Sequence, residues 1–363
     1  MGQVRIKEVA EAAGVSTSSV SRYLNGRIVL PPQTASRIDE AVSRLGYYPN
    51  AIARRLNRGA SETLGFITTD IAYPFFAAVA SAAEAEASCL GYSMAIFNSR
   101  NDISRELSFL SRIDDRQVDG ILFMTNHVDD GALARRIEQT RRVVLLDEDV
   151  AGTMTPKVFA ANELGGLLAT RHLIDRGHVR IAYVAGPRGM ISSDERYRGY
   201  LAALAEAGLA HDPALVFFGC YEEEFGITAF NRLWSIDNRP TAVFATADML
   251  AIGIIRAARD GGVEIPGDLS VVGFDDMLHV NLLTPALTTV RHSATEFGRH
   301  GVRLLVSEIN GAAAPEKPVR IPVELIVRDS VAAPRPRRMP SSRRAAEAGT
   351  SRTLHRKVKA TAG

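Results

Sequence analysis

The sequence predicts a small all-α head followed by an α/β body of two doubly wound parallel-sheet lobes. Three observations point there. The first 48 residues hold three short helical periods punctuated by glycine and proline. From Thr63 onward, short apolar runs alternate with longer amphipathic stretches, the pattern of parallel strands covered on both faces by helices. The length of 363 residues exceeds one ordinary domain.

In the head, Ile6, Val9, Ala10 and Ala13 fall at i, i+3, i+4 and i+7, one face of a helix that Gly14 ends. Ser16 is placed to cap a second helix through Leu24, with Val20, Tyr23 and Leu24 inward and Thr17, Ser18, Ser21 and Arg22 outward. Two short helices across a glycine turn make a helix-turn-helix. A third runs from Pro32 through Ile38, Ala41, Val42 and Leu45 to Gly46. Beyond it, Pro49 to Leu56 carries a breaker, the capping residue Asn50 and an Ile52/Leu56 pair. That is about two turns, shorter than the roughly 12 residues an isolated helix needs in water. It is either a helix that orders only on a partner or an ordinary Arg-bearing linker.

In the body the predicted strands are 64–69, 93–97, 120–124, 143–146, 180–185, 242–246 and 269–274. Ligands of such sheets bind beyond the carboxyl ends of the strands. Asp70, Asn98, Asp147, Asp248 and Asp275 sit at those ends, either as ligand groups or as the turn formers that Asp and Asn often are.

Composition excludes several classes. No apolar run approaches the roughly 18 residues of a membrane span, and Met1 to Glu8 lacks the apolar stretch of a signal peptide, so a cytoplasmic chain without membrane contact is expected. Cys89 and Cys220 lack paired spacing, which argues against a disulfide framework or a zinc site; both are expected as buried thiols. Phosphate-loop, G-x-G-x-x-G, H-E-x-x-H and G-x-S-x-G motifs are missing, so no catalytic residue, metal or cofactor is expected. The net charge of +2 is segmented: +5 over residues 1–61, −11 over the middle and +8 over residues 331–363. Basic ends on an acidic body suit contact with a polyanion, or are simply solvated tails.

The residues from Ile6 to Ser16, Val20 to Gly26 and Leu45 to Asn50 closely resemble the lactose-repressor (LacI/GalR) family of bacterial regulators. The body resembles it too, to about residue 330, in Asp70 to Phe76, Asn162 to Gly166, Arg176-Gly177-His178, Arg196 to Tyr200, Val271 to Asp276 and Pro285 to Val290. The resemblance implies a helix-turn-helix domain over 1–48, a hinge over 49–61 and a periplasmic-binding-protein-like body over 62–330. Lobe 1 would take about 62–160 and 292–320, and lobe 2 about 161–291 and 321–330. A disordered basic tail over 331–363 would follow.

The implied function is sequence-specific, effector-controlled binding of operator DNA by a transcriptional regulator, most simply a repressor. Ser16, Thr17, Ser18, Ser21, Arg22 and Asn25 would meet the major groove. Asn50, Ala53, Arg54 and Leu56 would belong to a hinge in the minor groove, Leu56 wedging between bases. The effector pocket implied holds Tyr73, Phe75 and Phe76 as apolar walls, Tyr221 as an aromatic platform, Asp147, Arg196 and Asp275 as charged groups, and His292 at the floor.

Aromatic faces with carboxylates and an arginine suit a sugar-like effector; a corepressor such as a nucleobase is the alternative. Core packing remains open for Phe75, Phe76 and Tyr221. Two departures from the family's usual pattern are Ala247-Asp248 and Ala161-Asn162, each lacking a polar partner, for which Ser192 and Ser193 are candidate replacements. Pro31 also stands where a Ser or Thr cap is usual. One short hinge per head implies a homodimer on two roughly inverted half-sites. The tail has no leucine heptad for tetramers.

Overall fold

A computed structural model describes residues 4–26, 28–47, 60–129 and 131–335. The head contains α1 (Ile6–Ala13), α2 (Thr17–Leu24) and α3 (Pro32–Leu45). Gly14 and Gly46 close α1 and α3 at φ 64° and 61°, a left-handed conformation that costs glycine nothing. Ser16 Oγ accepts from the Ser19 N–H at 3.1 Å and caps α2. No side chain caps α3, as Pro31 implied. Val9, Ala10, Ala13, Val20, Ile38 and Ala41 form the small core, and the Tyr23 hydroxyl donates to Asp39 at 2.9 Å, tying α2 to α3. The hinge positions Asn50, Ala53, Arg54 and Leu56 lie outside the described residues.

The chain divides into two units, one ending at Phe159 and taking in Ala294–Val319, the other comprising Ala160–Ser293 and the chain from Arg320. The first holds β1 (Thr63–Thr68), β2 (Ser93–Asn98), β3 (Gly120–Phe123), β4 (Val143–Leu146) and β5 (Lys157–Ala160). The second sheet holds β6 (Ile181–Ala185), β7 (Val216–Phe218), β8 (Ala242–Ala245), β9 (Ser270–Asp275), β10 (Thr288–His292) and β12 (Val323–Ile326). With β11 (Val319–Ile321) the orders are β11-β5-β4-β3-β1-β2 and β12-β10-β9-β8-β6-β7. All pairings from β1 through β5 and from β6 through β10 are parallel, and β12 runs antiparallel to β10. Both sheets therefore reverse their winding once, between β1 and β3 and between β6 and β8. Such switch points open a crevice at the carboxyl ends of the strands.

The central strands are buried on both faces. Ile67, Ile121, Phe123, Val143 and Leu145 pack one core, and Tyr183, Phe244, Val272, Phe274 and Val290 the other.

Four expectations are corrected. His292 ends β10 in the second sheet, so the chain leaves that unit after Ser293 and not before residue 292. The segment from Val331 is docked as far as Arg335: Val331 joins the second core, the Ala332 carbonyl meets His178 Nε2 at 2.8 Å, and Arg335 pairs with Glu264 at 2.6 Å. Residues 336–363 lie outside the described residues. Cys89 and Cys220 are exposed. Cys89 falls off the helix face that buries Phe76, Ala80, Ala83 and Ala87, and Cys220 follows the short strand β7. Among the described residues no helix is long and apolar enough to cross a membrane.

Candidate functional site

On the head, Thr17, Ser18 and Arg22 are exposed and Ser21 is half-buried. Ser16 and Asn25 are engaged at the helix ends. Ser16 Oγ lies 2.8 Å from the Ser18 and Ser19 hydroxyls, and Asn25 Nδ2 donates to the Ser21 carbonyl at 2.7 Å. Thr17, Ser18 and Arg22 thus form a polar face opposite the Val20 core, with the N–H end of α2 beside the two hydroxyls. That end attracts anions such as phosphate.

At the β6/β8 switch point of the second unit, Arg196 is buried to 3 % exposure. Its Nε donates to Asn162 Oδ1 at 2.9 Å and its Nη1 to the Thr246 carbonyl at 2.6 Å. The guanidinium lies 3.6 Å from the Phe274 ring centre, which holds it flat on an aromatic face. Asn162 Nδ2 and Thr246 Oγ1, beside these contacts, are buried without a hydrogen-bond partner among the described residues. An unsatisfied buried donor costs about 1–3 kcal/mol, which a polar ligand would relieve.

Tyr221 Oη meets Ser192 Oγ at 2.9 Å and Ser193 Oγ at 2.8 Å. Its ring crosses the end of β6 where a Cβ on Gly186 would lie 2.2 Å from the ring, so glycine makes the platform possible. The buried Tyr183 phenol donates to the Ser193 carbonyl at 3.0 Å and sets that residue's place.

Asp275 ends β9 at φ 113°, a strained conformation of the kind that clusters at functional sites. Its Oδ1 lies 3.1 Å from His292 Nε2. Beside it Asp248 is wholly buried, accepting from the Met277 N–H at 2.8 Å and the Thr289 hydroxyl at 2.7 Å. Burial, and then the neighbouring Asp275, push the Asp248 carboxyl well above the usual carboxylate range.

In the first unit, Asp147 follows β4 at φ 71° and is half-buried. Phe75 packs edge-on against Phe297 at 5.7 Å, and Phe76 lies between Tyr73 and Phe75. Phe75 and Phe76 are 7 % and 6 % exposed, which gives them a share in the core as well as the wall expected of them. Asp70 and Asn98 act as turn formers, accepting from the Ala72 and Arg100 N–H groups.

Sequence reasoning missed the polar cluster at the β1/β3 switch point. There Glu106 accepts from Ser99 Oγ at 3.1 Å and Thr125 Oγ1 at 2.9 Å, and Asn126 Nδ2 reaches Thr69 Oγ1 at 3.3 Å. Burial lifts the Glu106 carboxyl to about 7. The available signal was its position three residues into an amphipathic helix, where a surface glutamate is the ordinary reading.

The chain matches the lacI family of bacterial regulatory proteins over residues 5–50 and the periplasmic binding protein-like domain over residues 170–331. It is similar to the HTH-type transcriptional repressor PurR of Mannheimia succiniciproducens, 32 % identical over 90 % of this chain and 98 % of the relative. Catabolite control protein A of Priestia megaterium is 34 % identical over 90 % and 99 %. Among solved structures, the lac repressor dimer bound to operator and the anti-inducer ONPF is 27 % identical, with a TM-score of 0.81 over 92 % of this chain and all of the other. A transcriptional regulator CelR–cellobiose complex is 29 % identical, at 0.69 over 90 % and 100 %. With a DNA-reading head and a binding-protein body both matched, the chain belongs to the lacI family of bacterial regulatory proteins and is a DNA-binding transcriptional repressor controlled by a small-molecule effector.

Proposed function

We propose that this repressor acts as a cytoplasmic homodimer without catalytic activity, and that a sugar-like effector sets its affinity for the operator. Thr17, Ser18 and Arg22 read base edges, with Ser16, Ser21 and Asn25 supporting them. Asn50, Ala53, Arg54 and Leu56 supply the hinge contact. Tyr73, Phe75, Phe76, Asp147, Ser193, Arg196, Tyr221, Asp275 and His292 are the residues assigned to the effector.

The observation that carries this reading is the buried Arg196 on the Phe274 face, fixed at a switch point beside the unpartnered donors of Asn162 and Thr246. A site so dense in fixed polar groups suits a ligand whose every hydroxyl needs a partner. A planar nucleobase acting as corepressor is a second reading, favoured by the aromatic surface of Tyr221 at the same edge.

The test selects a duplex from a random DNA library with the full chain, then measures its affinity with cellobiose, D-ribose, D-glucose, guanine or hypoxanthine present. A sugar at 100 times its dissociation constant should stabilise the fold by about 2.7 kcal/mol and change duplex affinity. Both effects should vanish in Asp275→Ala. A response to a nucleobase and to none of the sugars would replace the first reading by the second.

A further inference from the structure

The chain crosses into the second unit twice, at Ala160 and at Arg320. One guanidinium joins the two crossings. Arg320 donates through Nη1 to the Ala160 carbonyl at 3.0 Å, and through Nη1 and Nη2 to the two oxygens of Glu195 at 2.6 and 2.7 Å. Next to it the Ala161 N–H donates to the Ile321 carbonyl at 2.9 Å. The Glu195 side chain is 8 % exposed and precedes Arg196 on the helix Ile191–Glu206.

That helix has little freedom of its own. A Cβ on Gly199 would lie 2.1 Å from the Glu163 carbonyl oxygen, and one on Gly166 would lie 2.2 Å from that of Arg196, so it is pressed against the helix Asn162–Asp175 backbone to backbone. Arg198 adds a second tie between the two helices, pairing with Glu163 at 3.1 Å and lying 3.5 Å from Glu195.

We propose that the Arg320–Glu195 pair is a positioning element for operator binding. It fastens the two residues at which the chain enters the second unit, Ala160 and Arg320, to the helix that carries Ser193 and Arg196, so that these entry points and the helix move as one piece. A two-pronged arginine–carboxylate pair fixes direction as well as charge, which a lysine cannot do. Loosening the crossings adds conformational freedom that operator binding must then remove, and this weakens the specific complex.

The test needs no effector and is therefore independent of which residues hold one. It uses the full chain, the duplex that the chain selects from a random library, and a random duplex of equal length. In Glu195→Gln and in Arg320→Met, affinity for the selected duplex falls about 3- to 10-fold, the range expected of residues that modulate coupling without touching a ligand. Affinity for the random duplex stays within about twofold, because no phosphate contact is lost. The double variant is no worse than Arg320→Met alone, since that variant already removes the Glu195 pair together with the Ala160 bond. Arg320→Lys keeps the charge and loses the fork, so it recovers only part of the affinity.

Backbone hydrogen exchange over 157–161 and 319–323 rises about tenfold or more in the same variants, while exchange in α1 to α3 stays as in the parent. Unchanged affinity for the selected duplex in Glu195→Gln and Arg320→Lys, or losses that add in the double variant, overturns the proposal. Faster exchange with unchanged affinity overturns it too and makes the pair a fold-stabilising contact alone. The two near-isosteric variants keep the outcome decisive if Arg320→Met does not fold.

Discussion

Burial between Ser99 and Thr125 lifts the Glu106 carboxyl to about 7 from an ordinary 4.5. The folded chain then holds this proton where the unfolded chain has released it. The contribution of Glu106 is fully present below about pH 4.5 and is lost as pH rises through 7, a loss of up to about 3 kcal/mol. Glu106→Gln removes the titration. Urea unfolding at pH 4.5 and pH 8 should therefore show the variant gaining on the parent as pH rises, and an equal difference at both pH values would refute the buried neutral acid.

Arg196 gives the complementary case. Its place on the Phe274 face next to Asn162 means that Arg196→Ala empties a fixed, charged hydrogen-bonding position, and effector affinity should fall by about 1.5–3 kcal/mol or more in titration calorimetry with the responding compound. Arg196 was legible through its family motif. Glu106 was not, because its chemistry comes from burial, for which helical spacing carries no signal.

Two helices show what a single missing Cβ does. Gly166 and Gly199 lie where Asn162–Asp175 and Ile191–Glu206 cross, and any Cβ there meets carbonyl backbone that cannot rotate away. Gly166→Ala should cost about 1–3 kcal/mol in thermal unfolding through overpacking. It should also weaken effector binding, since the displaced atom is the carbonyl of Arg196 itself. Gly208→Ala, at an open turn with φ 66°, is the control: it strains the backbone without moving Arg196 and should leave effector affinity unchanged.

At this scale the sequence was most readable where one signal dominated. In the head, Gly14 and Gly46 mark stops and Ser16 a cap in the sequence, and the seven strands read as apolar runs agree with β1 to β4, β6, β8 and β9 to within a residue or so. The strands β5, β7, β10, β11 and β12 were missed. They are three to five residues long and partly exposed in β7, β11 and β12; a charged residue breaks the apolar run in β11 and β12, and in β7 the run is only Ala214 to Phe218, too short to stand out from the loop around it. β11 also lies between Pro318 and Pro322, which read as breakers.

Across the whole molecule, charge separates basic ends from an acidic middle, and the expected boundary of the basic tail at residue 331 follows composition. Packing puts the boundary later. Val331 is 6 % exposed within the second core, Ser270 Oγ bonds both the carbonyl and the N–H of Ala332 at 3.1 Å, and His178 Nε2 meets that carbonyl at 2.8 Å. Truncation after Arg335 keeps all of these contacts, so its denaturant midpoint should equal that of the full chain. Truncation after Ser330 exposes the pocket of Val331, worth about 1.5–3 kcal/mol of burial. It also strips buried His178 of an acceptor, which adds about 1–3 kcal/mol. Burial already holds the His178 imidazole below its ordinary range, so the shorter chain should lose stability at neutral pH, where that ring is neutral in both states. Urea midpoints of the two truncations at pH 7.5 decide the matter: equal values would return residues 331–335 to the tail.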